Sequence, residues 1–303
     1  MAAVDPFYEQ IAPMRDALEQ LAKEAGDAAT RHGVYPYVGT PGFREIEEEA
    51  QYASDWGTTP VVNAYSVARL KLVAADDHIR ALCNLLKIDP PSLFAHTVLA
   101  RAALEATAGS AWLTEPGVGT KRRVARWLMD QIADKRARAT LVESTGADEH
   151  IEEAARLRAE AAALYDEAER NQFALIRDTN ERPIGIEEQR PGLTDLVTDH
   201  FTRAGGVMKG DLIYRLFSGI AHAAAHGLRS GYDPVRDGLF PTGMGGAQFR
   251  TTGTDVLIVL GVVTLSYVNA LDQVAELYGW KDEPWDAARL QALETGKSHF
   301  PTS

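Results

Sequence analysis

The stretch from Asp211 to Arg229, DLIYRLFSGIAHAAAHGLR, carries the residues of this chain best suited to chemistry. At helical period, Asp211, Arg215, Ser218, His222, His226 and Arg229 fall within one arc of about 80°. The remaining arc holds Leu212, Ile213, Leu216, Phe217, Ile220, Ala224 and Leu228. A solvated stripe usually consists of Glu and Lys, whereas this one has two histidines, a serine and two arginines, which suits a cleft lining. The planar guanidinium fork of Arg215 can hold a carboxylate or phosphate. His222, two turns later, can exchange a proton near neutral pH. An amphipathic helix whose polar stripe simply meets water is the competing reading. His222 and His226, at i and i+4, could share a metal, but the sequence identifies no third ligand, so no metal is expected.

A second constellation supports a cleft. Arg101 and Glu105 stand four apart between Phe94 and Trp112, on the same helical face. Charges between two large aromatics predict a partly buried pair that meets a polar partner from another helix, because burial without a partner is costly. The bland alternative is an Arg–Glu bridge that only fixes packing. Asp76-Asp77 resembles a paired-acid metal motif, but its spacing to Arg80 reads as a surface ion pair, and no second acidic motif follows. His96 and His200 stand alone and read as capping or surface residues.

Several known arrangements are absent: Glu-x-x-His, His-Glu-x-x-His, Gly-x-Ser-x-Gly and a phosphate loop ending in Gly-Lys-Ser/Thr. Gly117-x-Gly119 has no strand before it and reads as a helix entry. The lone Cys83 excludes an internal disulfide and a cysteine-built zinc site. No cofactor is expected. A net charge of −12 over 303 residues argues against broad nucleic-acid binding, which draws on phosphate neutralisation. The most basic segment, Lys121 to Arg138, includes Asp130 and Asp134 and reads as a solvated helix face. The first residues lack a basic stretch followed by an apolar run. The uncharged run between Asp255 and Asp272 falls short of the roughly 20 residues needed to cross a bilayer. A cytoplasmic protein without membrane partners is the expectation.

These groups must be positioned by helices. Residues 6–30, 43–56, 60–87, 92–115, 120–144, 148–179, 193–203, 207–228 and 254–279 read at helical period, followed by a short terminal helix. The 120–179 pair suits an antiparallel hairpin. Residues 181–192, with two prolines and two glycines, read as a connection. Ser230 to Thr252 reads as an irregular loop or small hairpin and a candidate lid or dimer contact. The fold class is all-α, a multi-helix bundle with a long hairpin. It divides into an N-terminal segment 1–58 and a main bundle 59–303, or forms a single domain 1–303.

Arg215-x6-His222 resembles the Arg-x(4–6)-His motif of the HEPN superfamily, helical-bundle proteins that include many prokaryotic toxin and defence ribonucleases. Tyr214-Arg215-x-x-Ser218-x-x-x-His222, preceded by Arg101-x-x-x-Glu105, is similar to an uncharacterised bacterial branch of HEPN-like proteins, over about residues 60–230. Leu216 stands where that family usually has a polar residue, and Ser218 is the nearest substitute. The resemblance implies metal-independent cleavage of single-stranded RNA in a homodimer. His222 would act as acid or base, Arg215 would stabilise the phosphate charge, and Ser218 and Glu105 would complete the catalytic set. Arg101, Tyr214, His226 and Trp112 would bind substrate. The rival reading is a pocket lined by Arg101, Glu105, Arg215 and His222 for a small anionic or aromatic molecule, under the Ser230–Thr252 cover. A third is a catalytically inactive scaffold.

Overall fold

The computed structural model describes residues 6–33, 35–52, 56–89, 92, 94–146, 148–205, 210–222, 232–239, 245–249, 251–280 and 284–299. Among them are ten helices: α1 (Pro6–His32), α2 (Pro41–Gln51), α3 (Pro60–Leu85), α4 (Ala95–Thr114), α5 (Thr120–Glu143), α6 (Asp148–Arg170), α7 (Leu193–Arg203), α8 (Gly210–Ala221), α9 (Gly253–Tyr278) and α10 (Pro284–His299). The protein is all-α in class, a multi-helix bundle. Proline begins α2 and α3, where its missing N–H has no intrahelical partner to lose.

The apolar core is continuous from Ile11 in α1 to Ala292 in α10. Its centre is α9, which packs on α4, α1, α2, α7 and α10. By length and composition α9 could cross a membrane, but most of it is buried inside the bundle. Its start is fixed by a reciprocal capping box: Thr252 Oγ1 accepts from the Asp255 N–H, and the Asp255 carboxylate accepts from the Thr252 N–H. It ends at Gly279, whose left-handed backbone (φ 81°) directs two N–H groups onto the Ala275 carbonyl. Gly42 lets α2 approach that end closely, since a Cβ there would lie 2.7 Å from the Leu277 carbonyl oxygen.

Helices α5 and α6 run antiparallel, as their ion pairs show: Lys135 meets Glu160 and, further out, Glu143 meets Arg158. The inner half of α5 enters the main core through Val124, Leu128, Met129 and Ile132, whereas Ala139, Ala154 and Leu157 form a separate small cluster.

Two small sheets depart from the helical reading. The expected 148–179 helix stops at Arg170, where Gln172 takes a positive φ of 61° and turns the chain into β1 (Leu175–Arg177). The 181–192 connection contains β2 (Pro183–Ile186) and β3 (Glu188–Gln189), and the three strands form an antiparallel sheet in that order. Within the 230–252 segment, β4 (Tyr232–Leu239) pairs with β5 (Gly245–Phe249), the small hairpin that was one of its two expected forms.

The basic Lys121–Arg138 segment is not simply a solvated face. Lys121, Arg122, Arg136 and Arg138 are exposed, but Arg123 is fully buried and Arg126 nearly so. The cause is the C-terminal end of α4, whose last carbonyls have no intrahelical donors. Arg123 donates to the carbonyls of Leu113 and Glu115, and Arg126 donates to that of Trp112 at 2.6 Å. Their charges are met by Glu45 on Arg123, and by Glu115 and Glu188 on Arg126. The acids of α2 thus also have buried work: Tyr65 donates to Glu45 at 2.9 Å, and Glu49 accepts from the Val61 N–H at 2.9 Å at the start of α3.

Candidate functional site

Helices α4 and α8 bring Arg101, Glu105, Tyr214 and His222 together. Arg101 and Glu105 are on successive turns of α4, so Arg101 Nε reaches Glu105 Oε1 at 2.6 Å. Tyr214 enters from α8, whose Ile213, Tyr214 and Phe217 are buried and hold it against the bundle. Its hydroxyl donates to Glu105 Oε1 at 2.8 Å and accepts from Arg101 Nη2 at 3.5 Å. The Arg101 guanidinium carbon lies 5.5 Å from the centre of the Tyr214 ring, within cation–π range. His222 follows the last residue of α8, with its N–H on the Ser218 carbonyl, and its Nε2 is 3.0 Å from Arg101 Nη1.

The Arg101 and Glu105 side chains are 18% and 27% exposed. The pair is therefore partly buried and meets polar partners from another helix, as the Phe94/Trp112 spacing predicts. Burial lowers the pKa of Arg101, but the hydrogen bonds and charge of Glu105 and Tyr214 outweigh it, so the net shift is upward and the guanidinium stays charged. Burial, and then the Glu105 carboxylate, push the Tyr214 phenol up, which keeps it a neutral donor. The result is a charged guanidinium, held by a carboxylate and a phenol, beside an exposed imidazole.

The other expected site residues lie elsewhere. Arg215 does not share a sheltered hollow with His222: it is exposed on α8 and, among the described residues, has no ion pair or hydrogen bond. The helix is rotated so that Tyr214, not Arg215, faces α4. Ser218 is half-buried and meets His222 through its carbonyl. Trp112 points away from the cluster to the α4–α5 end, where Arg126 and Arg190 approach its ring at 5.3 Å and 5.8 Å. His226 lies outside the described residues. Among the described residues no group of three or more His, Cys, Asp or Glu side chains is placed to hold a metal ion.

The two solitary histidines are buried, not superficial. His96 faces the Ser92 carbonyl at 3.0 Å, and burial lowers its pKa. His200 places Nε2 on the Ser266 carbonyl at 2.9 Å and Nδ1 3.3 Å from Asn269 Nδ2. Burial takes its pKa down to about 4, so it is neutral at physiological pH. Asp76 is likewise no surface acid. It is 7% exposed, accepts from the Tyr267 hydroxyl at 3.0 Å and lies 3.5 Å from Arg80, and burial raises its pKa to about 6. The signal for these three is indirect: Asp76 and His200 meet polar groups of α9, and His96 meets a carbonyl just before its own helix.

Comparison of the chain with known protein families, characterised proteins and solved structures finds no match.

Proposed function

We propose that the α4–α8 face is the catalytic face of a HEPN-like, metal-independent ribonuclease of toxin or defence type, acting on single-stranded RNA. The observation that carries this reading is the exposed His222 imidazole held 3.0 Å from the charged Arg101 guanidinium. Arg101 takes the phosphate-binding role beside His222, and Glu105 and Tyr214 position it. Arg215, exposed on α8 seven residues before His222, is available for a neighbouring phosphate.

In this reaction the substrate phosphate draws the Arg101 donor away from His222, the freed Nε2 removes the proton of the ribose 2′-hydroxyl, and the 2′-oxygen bonds to phosphorus. The bond from phosphorus to the 5′-oxygen breaks, and that oxygen leaves with a proton. The products are a 2′,3′-cyclic phosphate and a 5′-hydroxyl. Arg101 offsets the charge that builds on the phosphoryl oxygens. DNA lacks the nucleophile and is resistant. A homodimer would place a second imidazole near the leaving oxygen.

The test uses purified full chain and single-stranded RNA in the presence of a chelator. Cleavage with cyclic phosphate ends is expected, falling about 100-fold in Arg101→Ala and in His222→Ala. Cleavage that survives Arg215→Ala combined with His222→Ala, or equal cleavage of DNA, overturns the reading.

A further inference from the structure

Helices α3 and α8 each pack closely on α4 and make no comparable contact with one another, which leaves a strip of α4 open between them. Along this strip Ala102, Glu105 and Ala106 are half-exposed and Val98 is exposed. The Arg101–His222 pair stands near one end of it. Arg101, Glu105, Gly109 and Trp112 share an arc of about 80° on the helix. Gly109 and Trp112 lie about 12 Å and about 16 Å beyond Arg101 along the axis, at roughly 1.5 Å per residue.

Both far positions carry a cation. Gly109 has no Cβ, and the side chain of Lys71 from α3 lies flat across it: a Cβ there would be 3.0 Å from Lys71 Cδ and 3.8 Å from Nζ. The Lys71 ammonium is thus held over the α4 backbone, 3.3 Å from Asp130 of α5. Over Trp112 stands Arg190, which follows β3, with its guanidinium carbon 5.8 Å from the ring centre. Arg190 also meets Asp130, at 3.3 Å. Two cations therefore share one carboxylate, the only one that either meets among the described residues. The Lys71 and Arg190 side chains are 30% and 32% exposed, against 10% for Asp130. An ammonium has three N–H donors and a guanidinium five, so each keeps donors for a further anion. Arg126 and Arg203, also near Trp112, are answered by Glu115 and Glu188 and add no net charge. The local excess of positive charge is at Lys71 and Arg190.

A row of cations along about 16 Å fits a polyanion better than a single anion. We propose that the α4 strip between α3 and α8 carries the phosphate backbone of single-stranded RNA from the Arg101–His222 pair to Lys71 and Arg190. Arg101 meets the phosphate at the cleaved bond, and Lys71 and Arg190 meet phosphates further along the strand. The small side chains of Ala102 and Ala106 let the strand lie close to the helix. The net charge of −12 repels a polyanion from the molecule as a whole, so a local excess of cations fixes where the strand lies. The proposal rests on the ribonuclease reading and adds the path of its substrate.

The probe is a 2′-O-methyl RNA of about 12 nucleotides, which cannot be cleaved because its 2′-oxygen is blocked. Its binding to the full chain is followed by fluorescence anisotropy as sodium chloride is raised, and binding that weakens with salt is expected. Lys71→Gln and Arg190→Gln should each weaken it about fivefold and flatten the log–log salt dependence by about 0.7. Lys23→Gln, at an exposed lysine of α1, should leave it unchanged. With cleavable RNA, Lys71→Gln and Arg190→Gln should raise KM about fivefold at unchanged kcat, since contacts away from the cleaved bond hold ground and transition states alike. No binding by the parent at low salt overturns the proposal, as does equal binding by the parent and Lys71→Gln, or an equal loss in Lys23→Gln. Cleavage that persists while both variants bind like the parent overturns the path and keeps the ribonuclease. Binding that depends on both residues, with no cleavage of RNA, keeps the path and overturns the ribonuclease. Far-UV circular dichroism confirms folding, and Lys71→Gln alone decides if Arg190→Gln does not fold.

Discussion

The same chemical trio occurs twice along α4, built from different helices. In the middle of α4, Arg101, Glu105 and Tyr214 form an Arg–Glu–Tyr cluster, with the guanidinium 5.5 Å from the ring centre. At its C-terminal end, Arg123, Glu45 and Tyr65 form another, with a separation of 5.4 Å. What differs is how the guanidinium spends its donors. Arg123 is fully buried, holds Glu45 through two nitrogens and covers two backbone carbonyls. Arg101 sits at the surface and turns Nη1 to an exposed histidine. The Arg123 trio closes a helix end, and the Arg101 trio leaves its guanidinium beside an exposed histidine. Residue types alone do not separate a brace from a reactive group; the number of donors left over does.

The largest expected effect is on stability. Arg123→Ala strands the Glu45 carboxylate and two carbonyls in the core and should cost about 3–5 kcal/mol, read from urea unfolding. That is a large part of the roughly 5–15 kcal/mol that holds a typical domain. Arg101→Ala should cost about 1 kcal/mol, because its partly buried pair stays within reach of solvent. Equal losses in the two variants would erase the distinction.

RNA cleavage should show the reverse order. The 100-fold loss expected of Arg101→Ala corresponds to about 2.7 kcal/mol of barrier. Tyr65→Phe, at the buried trio, should leave the rate within about twofold at a temperature where it is folded. A large fall in Tyr65→Phe would mean that the two trios are coupled.

The contrast extends to buried groups that titrate. Folded Asp76 keeps its proton to about pH 6, against 3.8 when unfolded, so its contribution to stability falls as pH rises from about 4 through 6. Folded His200 holds a proton only below about pH 4, against 6.5 when unfolded, so its contribution rises over nearly the same interval. Each amounts to something on the order of 2–3 kcal/mol, and in the intact chain they largely cancel. Asp76→Asn should therefore become steadily more stable relative to the parent between pH 4 and 7, and His200→Gln steadily less so. Urea midpoints measured across that range check both, and parallel profiles would discard the assignment.

The smallest effect compares the hydroxyls. Tyr65→Phe removes a donor to a buried carboxylate and should cost about 1–3 kcal/mol, whereas Tyr214→Phe should cost about 0.5 kcal/mol. Thermal unfolding of the two variants ranks them.

Much of this architecture is legible in the sequence, for identifiable reasons. Long amphipathic runs and the proline at 60 mark helices such as α3, whose ends fall within a few residues of those expected. The placing of Arg101 and Glu105 between Phe94 and Trp112 announces a partly buried pair with an outside partner, but the aromatic that meets them is Tyr214, and Trp112 points away. Which guanidinium would meet His222 could not be read, since it depends on the rotation of α8 about its axis, and that is set by Ile213, Tyr214 and Phe217 entering the core together. Likewise, burial of Arg123 and Arg126 follows from where α4 ends in space, which a charge pattern along α5 does not contain.

The small cluster of Ala139, Ala154 and Leu157, detached from the main core, gives the long hairpin a seam. Its outer turns are secured mainly by those three residues and by ion pairs in water, so they can come apart while the inner turns stay docked. Amide protons there should exchange with deuterium as a separate, faster class, at denaturant concentrations that leave the α9 amides untouched.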